Sequence, residues 1–422
     1  NVKYNKERRY RMDWNLKELE KIWKKLKVQK KYNHMVIDFE TLLNHDINMC
    51  LSIREDAGKT TNTLLKALCM WWYRNENLHI IYQRNDKTQI ARGNVETLFD
   101  TIKAFGYIEL LTDGKYNDVI YKYQTHKFYM AKTYKIEEEV VSEISNDYFC
   151  QVICLENYIN YKSSINDPVA DIIIHDEFMD TQRATNRQMI ELMNNISTFI
   201  RPMDRKDSKG NPLGHVIMLG NNTNKYSFWF EEFCIEQDIN NLKFGSYIDR
   251  ITEHGTTFSC ILLAQSEELK DIKQRKKIHF FGFNTPKMNA FNGIQEWQSE
   301  SHPHLLYDDQ INDSVICNRD IFVFHRGRYI RLDIYKNQDI GYFIFAHYNK
   351  KPQKAKVIFT LNPVEQNHVY GFGQFTSNQH FAYGCKKIIN LIKGYNIYFA
   401  SNSVGDLFQN YCIEMVRNKN YL

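Results

Sequence analysis

The residues best able to do chemistry stand in two short groups far apart in the chain, Gly58-Lys59-Thr60-Thr61 and Asp176-Glu177. A glycine, a lysine and a hydroxyl where a strand gives way to a helix are suited to holding phosphate. Backbone N–H groups at the helix start face the anion, the ammonium reaches its outer oxygens, and the hydroxyl ligates Mg²⁺. The loop Arg54-Glu55-Asp56-Ala57-Gly58 leads into Lys59 and departs from the usual pattern: the customary first glycine falls at Ile53, and two acids occupy the loop. Gly-Lys-Thr recurs by chance, so the second group decides. Ile172-Ile173-Ile174-His175 runs into the carboxylate pair, as a buried strand delivering acids to its C-terminal end does. There Asp176 would hold Mg²⁺ through water, and Glu177 would orient or deprotonate an attacking water. The competing reading, a capped strand end with surface acids, is weaker because both motifs come in the right order and context. A third run, His215-Val216-Ile217-Met218-Leu219, ends in Gly220-Asn221-Asn222-Thr223-Asn224. Its polar tip could sense a γ-phosphate, or these residues could simply form a turn; both readings stand.

These groups need a scaffold that brings strand ends together. Short apolar runs at 50–53, 78–82, 150–155, 171–174 and 215–219 alternate with helix-like segments at 60–73, 89–105 and 186–195. Strands alternating with helices predict an α/β fold with a mostly parallel central sheet covered on both faces. Residues 119–131 read as a hairpin inserted in that scheme. Upstream, Asp13 followed by Leu16, Leu19, Ile22, Trp23 and Leu26 predicts a short amphipathic helix, its other face carrying Lys17, Lys21, Lys24, Lys25 and Lys27. A solvated face over the nucleotide domain is the plainer reading of those lysines; contact with nucleic acid or a partner is the alternative.

After about residue 244 the texture changes. A basic stretch (Lys270, Lys273, Arg275, Lys276, Lys277) precedes strands at 321–324 and 329–335, which flank the basic turn His325-Arg326-Gly327-Arg328. Further strands at 342–346 and 357–361 and helices at 386–391 and 403–415 make a separate C-terminal α/β domain. The expected organisation is a basic helical extension (1–45), a nucleotide domain (46–240), a linker (241–310) and a C-terminal domain (311–422).

Composition constrains less. The chain of 422 residues is 43% hydrophobic and 25% charged, ordinary for globular protein, and its net charge of +5 permits nucleic-acid contact without demanding it. Nine cysteines without paired spacing read as reduced thiols rather than a disulfide or zinc framework. No apolar run approaches the ~18–20 residues of a membrane span, and the start has no signal-peptide pattern.

Together the Gly-Lys-Thr loop, the Ile174-His175-Asp176-Glu177-Phe178 segment, the run Thr198-Phe199-Ile200-Arg201 and the Leu219-Gly220-Asn221 strand end resemble the genome-packaging ATPases of small protein-primed tailed phages. These are relatives of the large terminase subunits in the additional-strand P-loop class. The resemblance is best from about residue 48 to 235. It implies ATP and Mg²⁺, with Arg54 to Thr61 around the nucleotide, Thr60 and Asp176 at the metal, and Lys59, Glu177, Arg201 and Asn221 in catalysis. Arg201 would be an arginine finger reaching a neighbouring subunit's ATP. Arg84, Lys87 and Lys162 resemble basic positions facing the adjacent subunit or DNA. The implied partners are double-stranded DNA, copies of the chain in a ring, a pentamer by analogy, and the procapsid portal, directly or through a structural RNA. The implied location is the host cytoplasm, transiently at the portal vertex, without a membrane. The C-terminal domain would resemble an RNase H-like nuclease. Asp333, Asp339, Glu365, Asp406 and Glu414 are available, but the opening strand 321–324 lacks a carboxylate, so nuclease activity is not expected. Two alternatives remain: another nucleic-acid-dependent ATPase, such as a helicase or replication initiator, and a vertex scaffold with a degenerate loop.

Overall fold

The computed structural model describes residues 14–29, 37–52, 58–137, 139–155, 170–179, 186–201, 214–221, 227–235, 238–239, 242, 247–251, 256–262, 302, 309–372, 379–394 and 396–418. The chain divides into two compact units, Asn1–Gln298 and Ser299–Leu422.

The first unit is built on nine strands: β1 (Ile47–Ser52), β2 (Ile80–Arg84), β3 (Asp118–Lys122), β4 (Lys127–Ile136), β5 (Glu139–Cys154), β6 (Ile172–Asp176), β7 (His215–Asn221), β8 (Tyr247–Ile251) and β9 (Thr257–Leu262). Their order is β3-β4-β5-β2-β6-β7-β1-β9-β8. The six from β5 to β9 run parallel, and the β3–β4–β5 hairpins and β8 add antiparallel flanks.

Side chains alternate across each parallel strand into two cores. Tyr82, Ile172, Ile174, Ile217 and Leu219 enter the one that also holds Leu64, Leu65 and Leu68 of the helix Lys59–Tyr73. Ile81, Ile173, Val216 and Met218 enter the other, with Leu192, Trp229 and Phe230. A strand covered on both faces has no polar side, which is why β1 and β6 are buried along their whole length. Each isoleucine of β6 contributes about 1.5–3 kcal/mol by burial. That anchorage holds a strand whose last residue, Asp176, is a buried carboxylate.

The expected hairpin at 119–131 is present as β3 and β4. The expected helix at 89–105 is broken into a 3₁₀ turn (Lys87–Ile90), two short helices (Arg92–Val95 and Asp100–Ala104) and, beyond it, the helix Tyr107–Leu111. Asp86 and Gln89 form a reciprocal capping box that starts the first turn, and Gly106 sits left-handed at φ 67° between the last two helices.

Strands β8 and β9, expected in a linker, complete the first sheet, with β9 covering the open edge of β1. The N-terminal helix Leu16–Lys25 is part of the same core through Leu19, and Lys66 of the Lys59–Tyr73 helix lies over the rings of Trp23 (4.8 Å) and Phe39 (4.1 Å). Its cap is Asn15, whose side chain accepts from the Glu18 N–H.

The second unit has β10 (Val315–Asn318), β11 (Ile321–His325), β12 (Arg328–Asn337), β13 (Gly341–Asn349), β14 (Val357–Thr360), β15 (His368–Tyr370) and β16 (Ile397–Phe399). The order is β15-β14-β11-β12-β13-β16, with β10 also on β12. β11, β12 and β13 form an antiparallel meander; β14 lies parallel to β11, and β16 parallel to β13. The connections from β13 to β14 and from β14 to β15, described throughout, contain no helix. The helix Asn402–Asn418 packs Val404, Leu407, Phe408 and Tyr411 into this core. His325 is buried and pushed by that burial down to about 3, while Arg326 is paired with Glu414.

Among the described residues no cysteine forms a disulfide, and no helix is long and apolar enough to cross a membrane.

Candidate active site

Three parallel strands end side by side at one edge of the first sheet. β7 lies between β1 and β6, with Ser52 opposite Asn221 and Asp176 opposite Leu219. The helix Lys59–Tyr73 begins at this edge. Its N-cap is Gly58, left-handed at φ 66°, a conformation glycine adopts without steric cost. The Gly58 carbonyl accepts from the Asn62 N–H at 2.9 Å, so Lys59 and Thr60 are the first residues of a regular turn.

From there Lys59 donates to Asn221 Oδ1 at 2.8 Å, and Thr60 Oγ1 donates to Asp176 Oδ2 at 2.9 Å. Burial pushes the Lys59 ammonium down to about 8, while the Asp176 and Glu177 charges pull the other way. Asn221 is thereby at the polar centre of the site, and Thr61 follows in the same helical turn.

Glu177 has φ 56°, left-handed for a residue with a Cβ, at a cost of about 1–2 kcal/mol. Three contacts impose it. The Glu177 N–H donates to Asp176 Oδ1 (3.0 Å), its carbonyl accepts from Asn85 Nδ2 (2.9 Å), and the Phe178 N–H returns to the Leu219 carbonyl (3.2 Å). The kink turns the Glu177 carboxylate out of the strand line and leaves it half exposed. Phe178 anchors the kink: its ring is fully buried edge-on to Trp229, whose indole N–H donates to the Phe178 carbonyl at 3.1 Å. Gly220 makes room for it, since a Cβ there would lie 2.6 Å from Phe178 Cε1.

Arg84, expected to face a neighbour or DNA, instead lies along its own site. From the tip of β2 its guanidinium pairs with Asp176 (3.1 Å) and with Glu177, and its Nε donates to Tyr82 Oη at 2.8 Å. Tyr82 in turn donates to Asp176 Oδ2 at 2.6 Å. Burial works against the Arg84 charge, but Asp176, Tyr82 and Glu177 outweigh it and raise its pKa; burial, then Asp176, push the Tyr82 phenol up. Thr60, Tyr82 and Arg84 thus surround the Asp176 carboxylate. Sequence reasoning missed Tyr82, and the only available sign was a tyrosine two residues before an arginine at a strand end.

On the other face, His175 is buried and pushed by that burial down to about 3, so its imidazole is neutral at pH 7. Its Nε2 lies 2.9 Å from Asn85 Oδ1. Asn85 thus links His175 to the Glu177 carbonyl.

Arg201 is elsewhere. It follows the helix Asn186–Asn195 and one π turn, Ile196–Ile200, and caps that turn at φ 51°. The Phe199 carbonyl accepts from the Ala170 N–H at 3.0 Å, and Ile200 packs on Gly214. Ala170 and Gly214 precede β6 and β7, so Arg201 lies at the sheet edge opposite Lys59 and Glu177. It is exposed, its Nε donates to the Thr198 carbonyl at 3.2 Å, and it forms no ion pair among the described residues. Lys87 is exposed at the start of the 3₁₀ turn after β2. Arg54, Glu55, Asp56, Ala57 and Lys162 lie outside the described residues.

In the second unit four of the five carboxylates pair with separate partners. Asp333 pairs with Arg331 and His347, Asp406 with His302, Glu414 with Arg326, and Glu365 with Lys351 and His368; Asp339 lies in the β12–β13 turn. Among the described residues no three His, Cys, Asp or Glu side chains converge as a metal set.

No family model matches the sequence, and no curated protein matches it. Two solved structures with a similar fold are forms of the large terminase ATPase domain of Thermus phage P74-26. One has 11% identity and a TM-score of 0.36 over 68% of this chain and 97% of that domain. The other, an arginine-to-alanine mutant of the same domain, has 9% identity and a TM-score of 0.36 over 64% and 94%. A likeness of this size says nothing about activity.

Proposed function

We propose that this chain is an ATPase whose hydrolysis drives double-stranded viral DNA into a preformed procapsid, working as a homomeric ring, a pentamer by resemblance, at the portal vertex in the host cytoplasm. The observation that carries the ATPase reading is the convergence of Lys59, Thr60, Asp176 and Asn221 at one sheet edge, with β7 inserted between the strands that lead to the lysine and the carboxylates. The packaging reading is supported by the order of motifs from Gly58 to Asn221 in the sequence.

The roles follow from the contacts. Lys59, enclosed and bonded to neutral Asn221, exchanges that amide for the β- and γ-phosphate oxygens of ATP. Asn221 then stands where loss of the γ-phosphate alters its partner. Thr60 and Asp176 offer the hydroxyl and carboxylate oxygens that Mg²⁺ prefers, and the bound ion would offset charge on the phosphates. Glu177, aimed by its left-handed backbone and half exposed, is the group that takes a proton from water. Its pairing with Arg84 must open for that, because a carboxylate bridged to a guanidinium is a poor base. Arg201, exposed at the far sheet edge and remote from its own Lys59 and Glu177, is placed as a trans-acting finger toward another subunit's γ-phosphate would be, which supports that role.

DNA contact through the phosphate backbone suits a motor that ignores sequence and makes gripping salt-sensitive. Exposed Lys87 and, by resemblance, Lys162 belong to that contact or to the subunit interface. We assign the second unit an RNase H-like descent without nuclease activity and a role toward the portal, directly or through a structural RNA. The β11–β12–β13 meander with β14 parallel beside β11 supports that descent.

Two measurements test the proposal. Double-stranded DNA stimulates ATP hydrolysis without strand separation on a forked duplex; efficient unwinding would point to a helicase instead. Arg201→Ala and Glu177→Ala subunits, each inactive alone, regain hydrolysis when mixed, because some interfaces then hold one intact glutamate and one intact arginine. No recovery at any ratio refutes the trans role.

A further inference from the structure

The tip of β2 sends alternate side chains to opposite faces of the sheet. Tyr82 and Arg84 face the nucleotide helix and hold Asp176 and Glu177. Gln83, between them, faces the other layer and is fully buried. Its Oε1 accepts from Asn195 Nδ2 at 2.6 Å, and Asn195 is buried as well. Among the described residues Gln83 Nε2 and Asn195 Oδ1 have no further partner. Leaving two buried polar atoms unmet is costly, and an apolar pair of similar size would pack here without that cost. Stability alone therefore does not explain these two amides.

Position does. Asn195 is the last residue of its helix, and the chain continues as the single π turn that ends at Arg201, whose N–H donates to the Ile196 carbonyl at 3.2 Å. A π turn carries one more residue per bond than an α turn and so re-aims whatever follows it. This one is pinned at two points. Asn195 ties its start to the tip of β2, and Phe199 ties its end to Ala170 at the entry to β6.

We infer that the Gln83–Asn195 amide pair is a positioning element for Arg201, coupling the aim of that arginine to the strand tip whose Arg84 grips the subunit's own Asp176 and Glu177. The inference rests on the trans reading of Arg201. Gln83 and Arg84 are consecutive residues of one strand, so a shift of the tip when Arg84 leaves the carboxylates is carried across the sheet to the π turn. The state of one subunit's site then sets the arginine it presents to the next.

The test uses the full-length ring with Gln83→Leu/Asn195→Leu, which removes both amides and orphans neither. The expected result is unchanged affinity for a non-hydrolysable ATP analogue, since Lys59 and Thr60 are untouched, with kcat lowered about 10- to 100-fold, the scale of an ångström-sized misplacement. Mixing these subunits with Glu177→Ala subunits, which keep both amides and Arg201 but hydrolyse nothing themselves, should raise the rate per double-variant subunit, so that total hydrolysis passes through a maximum at an intermediate ratio. The defect then lies in the arginine each variant subunit offers and not in its own site. A double variant with undiminished kcat, or a defect that mixing does not rescue, overturns the inference. If the parallel mixture of Arg201→Ala with Glu177→Ala also shows no rescue, the trans reading itself has failed. Should the double variant not fold, Asn195→Ala enters the same mixing assay, with the same outcomes deciding.

Discussion

Gly220→Ala tests how the catalytic kink is held. Gly220 does not have a positive φ, so alanine meets no backbone penalty, and the added methyl isolates a steric effect. The new Cβ would lie 2.6 Å from Phe178 Cε1 and 3.1 Å from both Phe178 Cδ1 and Met179 Cγ; ordinary contact begins at 3.4 Å. The Phe178 ring must therefore retreat by about 0.8 Å. It is enclosed by His175 and Trp229, at centroid distances of 6.3 and 5.7 Å, and its carbonyl is tied to the indole N–H. Overpacking of this kind costs about 1–3 kcal/mol, offset in part by about 0.4–1 kcal/mol from the stiffer unfolded chain. The larger effect is on chemistry. Phe178 directly follows Glu177, so displacement of the ring drags the carboxylate, and an error approaching an ångström lowers kcat by up to about 100-fold. ATP binding through Lys59 and Thr60 changes little. The expected outcome is a melting temperature a few degrees lower, with kcat reduced far more than analogue affinity. Phe178→Leu added to Gly220→Ala should recover stability by returning space. Wild-type melting and a kcat within about twofold of wild type would refute the packing argument.

Two further outcomes follow from the charges of the site. Lys59 has its pKa lowered to about 8, and phosphate will raise it again, so nucleotide binding takes up a proton above that pH. Dissociation constants for Mg-nucleotide should be flat below pH 8 and weaken above it by up to about tenfold per pH unit; a profile flat to pH 9.5 contradicts the enclosed ammonium. In the absence of nucleotide the same depressed pKa means that the unfolded chain binds more protons between about pH 8 and 10.5. Lys59 and Lys66, both pushed down to about 8 by burial, therefore add stability as pH rises through that window. Arg84→Ala leaves buried Asp176 with two hydroxyls and the Glu177 N–H but no guanidinium, and should cost about 3 kcal/mol in urea unfolding without Mg-nucleotide. The loss should be smaller with Mg-nucleotide bound, when a cation again faces Asp176; equal losses in both conditions would show that Arg84 is not the counterion.

Much of this arrangement was legible in the sequence because parallel strands buried on both faces spell themselves as apolar runs. Ile172-Ile173-Ile174 and Val216-Ile217-Met218-Leu219 needed no partner information to be read as strands, and Gly58-Lys59-Thr60 fixed the helix start. Adjacency was not legible. Nothing between Ile80 and Arg84 reveals that Asp176 lies on the next strand, so Arg84 reads as an outward basic residue when it is the partner of both acids. The same holds for the basic turn His325-Arg326-Gly327-Arg328, where Glu414, which holds Arg326, is contributed by the last helix. β8 and β9 escaped because Thr257-Phe258-Ser259-Cys260 mixes polar and apolar residues, and the polar ones are satisfied internally, as Ser259 is by Asn48. The 89–105 segment has a helical apolar spacing, yet Gly93 weakens it and Asp86 caps a turn of different pitch.

The placement of β1 has a consequence for the order in which the molecule is made. Ile47 is flanked by Val216 and Phe258, so the strand leading to the phosphate loop is among the first synthesised and waits longest for its pairing. β3, β4 and β5 pair across short turns and can zip as soon as they emerge, giving β2 and then β6 an edge on which to add. The slot for β1 exists only after β7 is complete, and its second edge stays open until residue 262 is available. Until β7 is complete Met49, Cys50 and Leu51 present an unpaired apolar strand to the cell, and nucleotide has no assembled site to bind. A ribosome stalled before β7 should therefore carry a chain that is already partly sheet, cannot be rescued by ATP, and depends on a chaperone to keep its oldest strand from pairing elsewhere.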